Sequence, residues 1–370
     1  MKEDIIMKHT VKVEKTDQIY KSGNSILNNA KYSSDNTDEW YTTYETIEEE
    51  VCHYKEQFKE KIVLCNCDDP YESNFCYYFL RHFNELNLRK LICTSYSESK
   101  IDQIKDNVQL SLNLFDNLGE PINLKKGYVF VIDEMPGEIG EEVSDDVIKE
   151  VLQRKGTVKR LSGSGDFRTE ECIKYMKECD ICCTNPPFSL FSELFALLTK
   201  YEKKYLLIGN QNAITYKEIF PYIKENKAWV GYRFGDMKFR VPADTKPRKT
   251  RFWVDETGQK WRSLGNAMWL TNLDMRKRHE ELRLTKCYRP EDYPKYDNYD
   301  AINVKKVVDI PMDYNGIMGV PITYLKYHNE LQFEIIGEAN HGSDNEFDLF
   351  KPKINGKELF KRILIKRRKV

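Results

Sequence analysis

Between residues 61 and 231, short apolar runs alternate with segments whose apolar residues recur at helical spacing. "KIVLCNC" (61–67) predicts a buried strand, "SNFCYYFLRHFNEL" (73–86) a helix with Ser73 as its N-cap, and "RKLICTSY" (89–96) the next strand. Strands joined through a helix this closely pair in parallel by a right-handed crossover. The pattern resumes with a helix at 145–154, a strand near 157–161, a helix at 169–178 and a strand at 180–184. A helix at 189–199, a strand at 204–210 and a helix near 216–224 complete it. Such alternation predicts an α/β fold with a doubly wound, Rossmann-like sheet. A helix over 46–58 precedes it, with Ile47, Val51, Tyr54 and Phe58 on one face. Between 97 and 140, "YVFVIDEMPG" reads as a strand and turn within an insertion.

The flanks differ. Residues 1–35 are polar and mixed, and beyond about 232 the alternation gives way to a Tyr-, Pro- and Asn-rich stretch that predicts strands and long loops, ending in the basic tail "FKRILIKRRK". At 40% hydrophobic and 12% aromatic residues the chain of 370 has enough apolar side chains for a large core. Its formal net charge of -1, from 58 basic and 59 acidic residues, leaves nucleic-acid binding to local clusters of charge. No apolar run is long enough to span a membrane, and "MKEDIIMKHT" lacks the apolar core of a secretory signal, so a cytoplasmic protein with reduced thiols is expected. Cys65, Cys67, Cys93, Cys182 and Cys183 lie in apolar runs and read as small buried hydrophobes. A zinc site built from Cys172, Cys179, Cys182 and Cys183 is disfavoured, because neighbouring residues of a strand point to opposite faces; no metal is expected.

The stretch "CCTNPPFSLF" (182–191) places Asn185, Pro186, Pro187 and Phe188 between a buried strand and a helix, where α/β enzymes bind their ligands. Prolines have a fixed φ and no N–H, so they make a stiff turn whose carbonyls are free to accept. The Asn185 side-chain oxygen and the Pro186 carbonyl then converge on one NH₂ group of a nucleobase or amide. Such a nitrogen is a poor nucleophile because its lone pair is delocalised. Accepting both of its protons favours a pyramidal nitrogen and aims the lone pair at an electrophile, while Phe188 stacks on the ring that carries it. Asn is a weak base, so the proton leaves only after attack. The competing structural explanation is a Pro-rich helix start without a catalytic task.

Two further segments fit a cofactor. "GSGDF" (163–167) places Asp166 where it accepts from the amino group of an adenine ring, with Phe167 packing against the ring. The loop "CNCDDPYESNF" (65–75) lacks the G-x-G of a phosphate cradle. It suits S-adenosylmethionine instead: Asp68 and Asp69 for the sulfonium and ammonium, and the helix start near Ser73 for the carboxylate. Taken singly, Asp166 fits a helix-capping turn and the acidic loop a solvated turn equally well.

With these pieces in order, the chain resembles the EcoRI-type adenine-specific DNA methyltransferase family. The resemblance is carried by "DEWYTTYETIEEEV" (38–51), "IVLCNCDDPYESNF" (62–75), "GDFRTEECI" (165–173), "DICCTNPPFSLF" (180–191), "LLIGNQNAITYKEIFP" (206–221), "GNAMWLTNLDMRKRHE" (265–280) and "YDAINVKKVVDIPMDYNGIMGVPITYL" (299–325). It implies methyl transfer from S-adenosylmethionine to the N6 amine of an adenine flipped out of double-stranded DNA. Asn185, Pro186, Pro187 and Phe188 then match the catalytic motif. Tyr41, Thr42, Asp68, Asp69, Pro70, Ser73, Asn74, Asp166 and Phe167 match cofactor-binding segments. On this basis residues 36–231 are expected to form the catalytic domain, and 232–370, with the basic tail, a loop- and strand-rich DNA-recognition region. Two features depart from the wider methyltransferase pattern: "DDPYES" replaces the Gly-rich loop, and "ICTSY" ends without a ribose-binding acid, Glu98 being a distant substitute.

DNA contacts are expected from Arg233, Lys238, Arg240, Lys246, Arg248, Lys249 and Arg251, since local clustering in a neutral protein is what phosphate binding needs. A monomer is expected, working as the modification half of a restriction system beside a separate endonuclease, or alone. Two other functions fit parts of the pattern: methyl transfer to RNA or a protein amide, and a catalytically silent binding module on the same fold. The basic–aromatic C-terminal region speaks against the first, and the intact "NPPF" and "GDF" against the second.

Overall fold

The computed structural model describes residues 40–69, 71–96, 127–154, 156–339 and 351–368. The polar segment 1–35, Pro70 and Glu98 lie outside the described residues. A short strand, β1 (Tyr41–Thr42), leads into α1 (Tyr44–Val51), which Thr43 caps by accepting from the Thr46 N–H. The expected helix over 46–58 is interrupted: α2 (Lys55–Phe58) follows after a turn at His53, whose ring stacks on Tyr232. All four residues of the expected apolar face are buried.

The chain then alternates as expected through β2 (Ile62–Asn66), α3 (Asn74–Arg81), β3 (Lys90–Thr94), β4 (Tyr128–Ile132), α4 (Asp145–Gln153), β5 (Val158–Arg160), α5 (Glu170–Glu178), β6 (Ile181–Thr184), α6 (Phe191–Lys200), β7 (Lys204–Asn210) and α7 (Phe220–Lys224). Three longer-range strands follow: β8 (Trp229–Arg240), β9 (Phe252–Val254) and β10 (Lys260–Thr271). One sheet collects them all in the order β1-β8-β10-β7-β6-β2-β3-β4-β5, with β9 on the free stretch of β10.

The centre of that sheet, β3-β2-β6-β7, is parallel. Its flanks are antiparallel, so the sheet is mixed. The expected insertion around 128–132 is instead an integral strand, hydrogen-bonded to β3 from Leu91↔Ile132 to Thr94↔Val129. Position 231 falls inside β8, which runs unbroken across it, and β10 inserts between β7 and β8.

Strand alternation divides the core into two layers. Val63, Cys65, Cys93 and Cys183 face one cluster with α1 and α3, whereas Leu64, Ile92 and Cys182 face the other with α5 and α6. Cys182 and Cys183 thus point to opposite sides of the sheet. The second cluster continues into a smaller sheet, β11 (Ala301–Asn303), β12 (Ile317–Pro321), β16 (Arg362–Arg367) and β13 (Phe333–Ala339), accompanied by the hairpin β14 (Lys353–Ile354) and β15 (Lys357–Glu358).

The chain leaves β2 for β3 on one side and returns to β6 on the other. The carboxyl ends of β2 and β6 therefore diverge at a switch point, which is where a ligand crevice opens in such sheets.

Candidate active site

At that switch point a cleft of about 180 Å³ is lined by residues from six separate segments. β1 and its approach give Trp40, Tyr41 and Thr42; the end of β2 gives Cys67, Asp68 and Asp69; the start of α3 gives Ser73, Asn74 and Phe75. Ser95 and Tyr96 follow β3, Asp166, Phe167 and Arg168 precede α5, and Asn185, Pro187 and Leu190 follow β6. Every described residue expected to bind the cofactor is among them. Pro186 and Phe188 are buried just behind this wall, and the Phe188 ring lies 6.5 Å from that of Trp40.

The Asn-Pro-Pro-Phe turn is held in one orientation. Asn185 Nδ2 donates to the Trp40 carbonyl at 2.6 Å. Its Oδ1 is buried and has no hydrogen-bond partner among the described residues. Buried polar atoms are almost always paired, so an orphaned acceptor on the wall of a cleft marks the place where a ligand donor belongs. Thr42 Oγ1 is a second orphan in the same lining. The turn leads through a single 3-10 turn (Phe188–Leu190) into α6, whose Phe191 ring packs against Gly209 of β7.

The acidic loop is tied down by its own oxygens. Asp68 is buried and accepts from Ser73 Oγ at 2.7 Å and from Thr184 Oγ1 at 2.6 Å. Burial pushes its carboxyl up to about 7, against the opposing pull of those two donors. The same Thr184 hydroxyl lies against the Asn66 carbonyl and shares its single proton between the two acceptors, so it links both strand ends of the crevice. Asp69 Oδ1 accepts from the Tyr71 N–H at 2.8 Å, and its other oxygen meets the Tyr128 hydroxyl. Ser73 caps α3 by accepting from the Phe75 N–H. Asn74 Nδ2 donates to the Thr42 carbonyl at 2.7 Å, joining α3 to β1.

On the facing wall, Arg168 grips Asp166 through Nε and Nη2 at 2.9 and 2.5 Å, which holds that carboxyl below its ordinary range. Arg168 reaches Glu193 as well, at 3.0 Å. Phe167 is fully buried beneath the loop. Gly165 has φ +81, and a Cβ there would lie 1.9 Å from the Ser95 carbonyl oxygen, so the two loops touch backbone to backbone. The lining is therefore rich in carboxylate and carbonyl acceptors, with Arg168 committed to acids. This donor set fits a cationic ligand with an aromatic ring, and S-adenosylmethionine is such a molecule.

Trp40, Ser95, Tyr96 and Arg168 line the cleft without having been singled out from the sequence. Trp40 and Arg168 do lie inside the blocks "DEWYTTY" and "GDFR", so their neighbours gave the available signal.

The basic residues expected at DNA lie on and after β8. Arg240 stacks over the Tyr41 ring at 5.1 Å, in register with it across the β1–β8 pair. Lys238 is exposed on the same strand, and Lys246, Arg248 and Lys249 follow in the connection to β9. Arg233 pairs with Glu49, and Arg251 pairs with Asp236 at 2.5 Å, so these two carry acidic partners in the free protein.

The sequence matches the family described as adenine-specific methyltransferase EcoRI over residues 26–368. It is 44% identical to the type II methyltransferase M.EcoRI of Escherichia coli, over 94% of this chain and 98% of that protein. It is 32% identical to M.MgeORF184P of Mycoplasma genitalium over 93% and 99% of the two chains, and 35% identical to M.MpnI of Mycoplasma pneumoniae over 84% of each. No solved structure matched.

Proposed function

The chain belongs to the EcoRI family of adenine-specific methyltransferases, and from that premise we propose how its cleft does the chemistry. The protein is a type II, site-specific DNA methyltransferase that modifies adenine. An RNA or protein-amide acceptor, or a catalytically silent module, is not favoured.

The methyl donor is S-adenosylmethionine, which when bound supplies an electrophilic methyl group on a sulfonium. Asp68 and Asp69 would hold its cationic end, the start of α3 behind Ser73 and Asn74 its carboxylate, and Asp166 with Phe167 its adenine. Thr42 Oγ1, orphaned in the lining, is a further acceptor or donor for it.

The observation that carries the mechanism is the orphaned Oδ1 of Asn185. The target adenine leaves the duplex and enters beside the turn. Asn185 Oδ1 accepts one N6 proton, and the Pro186 carbonyl accepts the other. Because Nδ2 is fixed on the Trp40 carbonyl, Oδ1 cannot swing away from the amine. Phe188, buried behind the cleft wall with its ring centre 6.5 Å from that of Trp40, turns outward to stack on the base. The nitrogen lone pair, no longer fully drawn into the ring, forms the new N–C bond as the S–C bond breaks and sulfur keeps its electron pair. The methylated nitrogen then releases a proton to water, so no strong base is needed. Preorganised acceptors of this kind act in the transition state without further reorganisation.

Residues 36–231 act as the catalytic unit, with β8 and β10 completing its sheet. Residues from 232 onward, led by Lys238, Arg240, Lys246, Arg248 and Lys249, provide the surface that holds DNA phosphates. The protein works as a cytoplasmic monomer, either beside a separately acting restriction endonuclease or alone. Among the described residues no helix is long and apolar enough to cross a membrane.

The test is transfer of labelled methyl from S-adenosylmethionine to mixed-sequence duplex DNA, to RNA and to protein, followed by nucleoside analysis. N6-methyladenine in DNA alone is expected. Label in RNA or protein with none in DNA would overturn the proposal.

A further inference from the structure

Among the described residues, Arg262 of β10 has no acid within ion-pair distance. Its side chain is only 1% exposed, and its Nε and Nη2 have no hydrogen-bond partner among the described residues. Its guanidinium lies 4.5 Å from the centre of the Trp40 ring, the same residue whose carbonyl fixes Asn185. A second cation adds to the imbalance: Arg248 stands close enough to repel it. Burial first, and then that like charge, pull the Arg262 pKa down to about 10, so it stays protonated at neutral pH.

Acids on the neighbouring strands do not relieve it. Asp236 of β8 pairs with Arg251, and Asp255 accepts from Trp261 Nε1 and from Thr257. Lys260 Nζ meanwhile reaches the carbonyls of Ala243 and Thr245, which fastens the beginning of the Arg248-bearing connection to β10. An unpaired guanidinium sealed in a protein is costly unless its ligand supplies the missing charge. Arginine's planar fork is suited to a phosphodiester.

We propose that Arg262 and Arg248 form a clamp for a backbone phosphate of the target strand next to the flipped adenine. The clamp rests on the cleft being the site of adenine methylation. Its position supplies the argument for DNA rather than for the cofactor carboxylate. Arg262 is not among the residues that line the cleft, whereas the acidic loop and the start of α3, assigned to the cofactor, are; across the strand pair Arg262 meets Phe239, with Lys238 and Arg240 flanking that position on the other face of β8. Since Arg262 is sealed in the free protein, the phosphate reaches it only when the Trp40 ring or the Arg248 segment gives way. DNA engagement is thereby linked to the residue that orients Asn185.

The experiment uses full-length wild type, Arg262→Met and Arg262→Lys, on a duplex carrying a site that the wild type methylates. Affinity is measured against salt, with and without an uncharged methylphosphonate at each phosphate flanking the target adenine. S-adenosylmethionine affinity and thermal melting are measured in parallel. Arg262→Met is expected to weaken duplex binding roughly 10- to 100-fold at moderate salt and to lower the slope of log K against log salt by about 1. One methylphosphonate should weaken wild-type binding but leave the Met variant unaffected, and Arg262→Lys should recover part of the loss. An unchanged salt slope together with wild-type sensitivity to every methylphosphonate would overturn the clamp, whatever happens to melting. Weaker S-adenosylmethionine binding without DNA would overturn it in favour of a cofactor role. Should the Met variant not fold, a wild type indifferent to all flanking methylphosphonates overturns it equally. Failure of the wild type to methylate adenine would instead remove the function on which the clamp rests.

Discussion

Asn185 and Trp40, 145 residues apart in the chain, are joined by a hydrogen bond of 2.6 Å from the side-chain amide to the backbone carbonyl. A carbonyl only accepts, so this bond decides which end of the amide is Nδ2 and leaves Oδ1 facing the cleft. The preceding strand explains why the partner is available. Tyr41 and Thr42 pair with Arg240 and Phe239, and Asn74 pins the Thr42 carbonyl, so the Trp40 carbonyl is held at the mouth of β6. The indole is fixed separately, edge-on to Phe239 at 5.5 Å.

Asp68 should make cofactor affinity depend on pH. Its carboxyl is buried and raised to about 7, whereas a cationic ligand favours the ionised form. Below about pH 7, binding must expel the proton, so affinity should rise by up to tenfold per pH unit and level off above 7. Calorimetry in buffers of different ionisation enthalpy should detect close to one proton released near pH 6. Asp68→Asn should remove both the slope and the proton release.

The same shift has a consequence for the free protein. The folded state binds the proton more tightly than the unfolded chain, whose value is near 3.8, so stability should fall as pH rises from about 4 to 7. Glu50, buried beneath the Tyr232 and Arg233 N–H groups and also raised to about 7, acts in the same direction. Thermal melting across this range should show the decline, and Asp68→Asn should flatten it in part.

Thr184→Val keeps the shape of the side chain and removes the hydroxyl that serves Asn66 and Asp68. Leaving those buried acceptors short of a donor should cost about 1–3 kcal/mol of stability. Because Thr184 favours the ionised carboxyl, its loss should also move the midpoint of the cofactor pH profile upward. Denaturant unfolding and the binding profile check the two effects separately.

Gly165→Ala should loosen the cofactor cleft from the opposite wall. A Cβ at φ +81, 1.9 Å from the Ser95 oxygen, fits only if the Asp166 loop or the Ser95 loop withdraws. Such overpacking costs about 1–3 kcal/mol and more where the backbone itself is strained. Cofactor affinity should fall with it, while Gly258→Ala, which has φ +85 but open space, should lose stability alone.

How much of this was legible beforehand follows from the range of each interaction. β2, β3, β6 and β7 are buried on both faces, so each reads as a continuous apolar run, and the turns that follow them carry Asp68, Asp69 and Asn185. Direction was not legible: Val129 to Ile132 of β4 pair antiparallel to β3, and an apolar run has no mark of polarity. Nor was β1, because two residues show no periodicity and its partner lies about 200 residues onward. The interrupted helix at His53 depends on a ring contributed by β8. Arg262 sits in "KWRSLGNAMW" where strand alternation with charged neighbours suggests exposure, yet β8, β9 and Trp40 enclose it. Charge alone was equally uninformative at Arg233 and Arg251, which pair with Glu49 of α1 and with Asp236 of the same strand as Arg233.

Adenine methylation at this cleft depends on Asn185, and Asn185→Ala tests that dependence most directly. Truncation removes the acceptor for the N6 proton and the bond to Trp40 but none of the groups assigned to S-adenosylmethionine. We expect cofactor and duplex affinities within a few-fold of wild type, with single-turnover methyl transfer slowed about 100- to 1000-fold, as when one preorganised hydrogen-bond partner of a transition state is lost. A variant that transfers methyl at close to the wild-type rate would contradict the account, and Asn-Pro-Pro-Phe would then be only the turn that starts a helix.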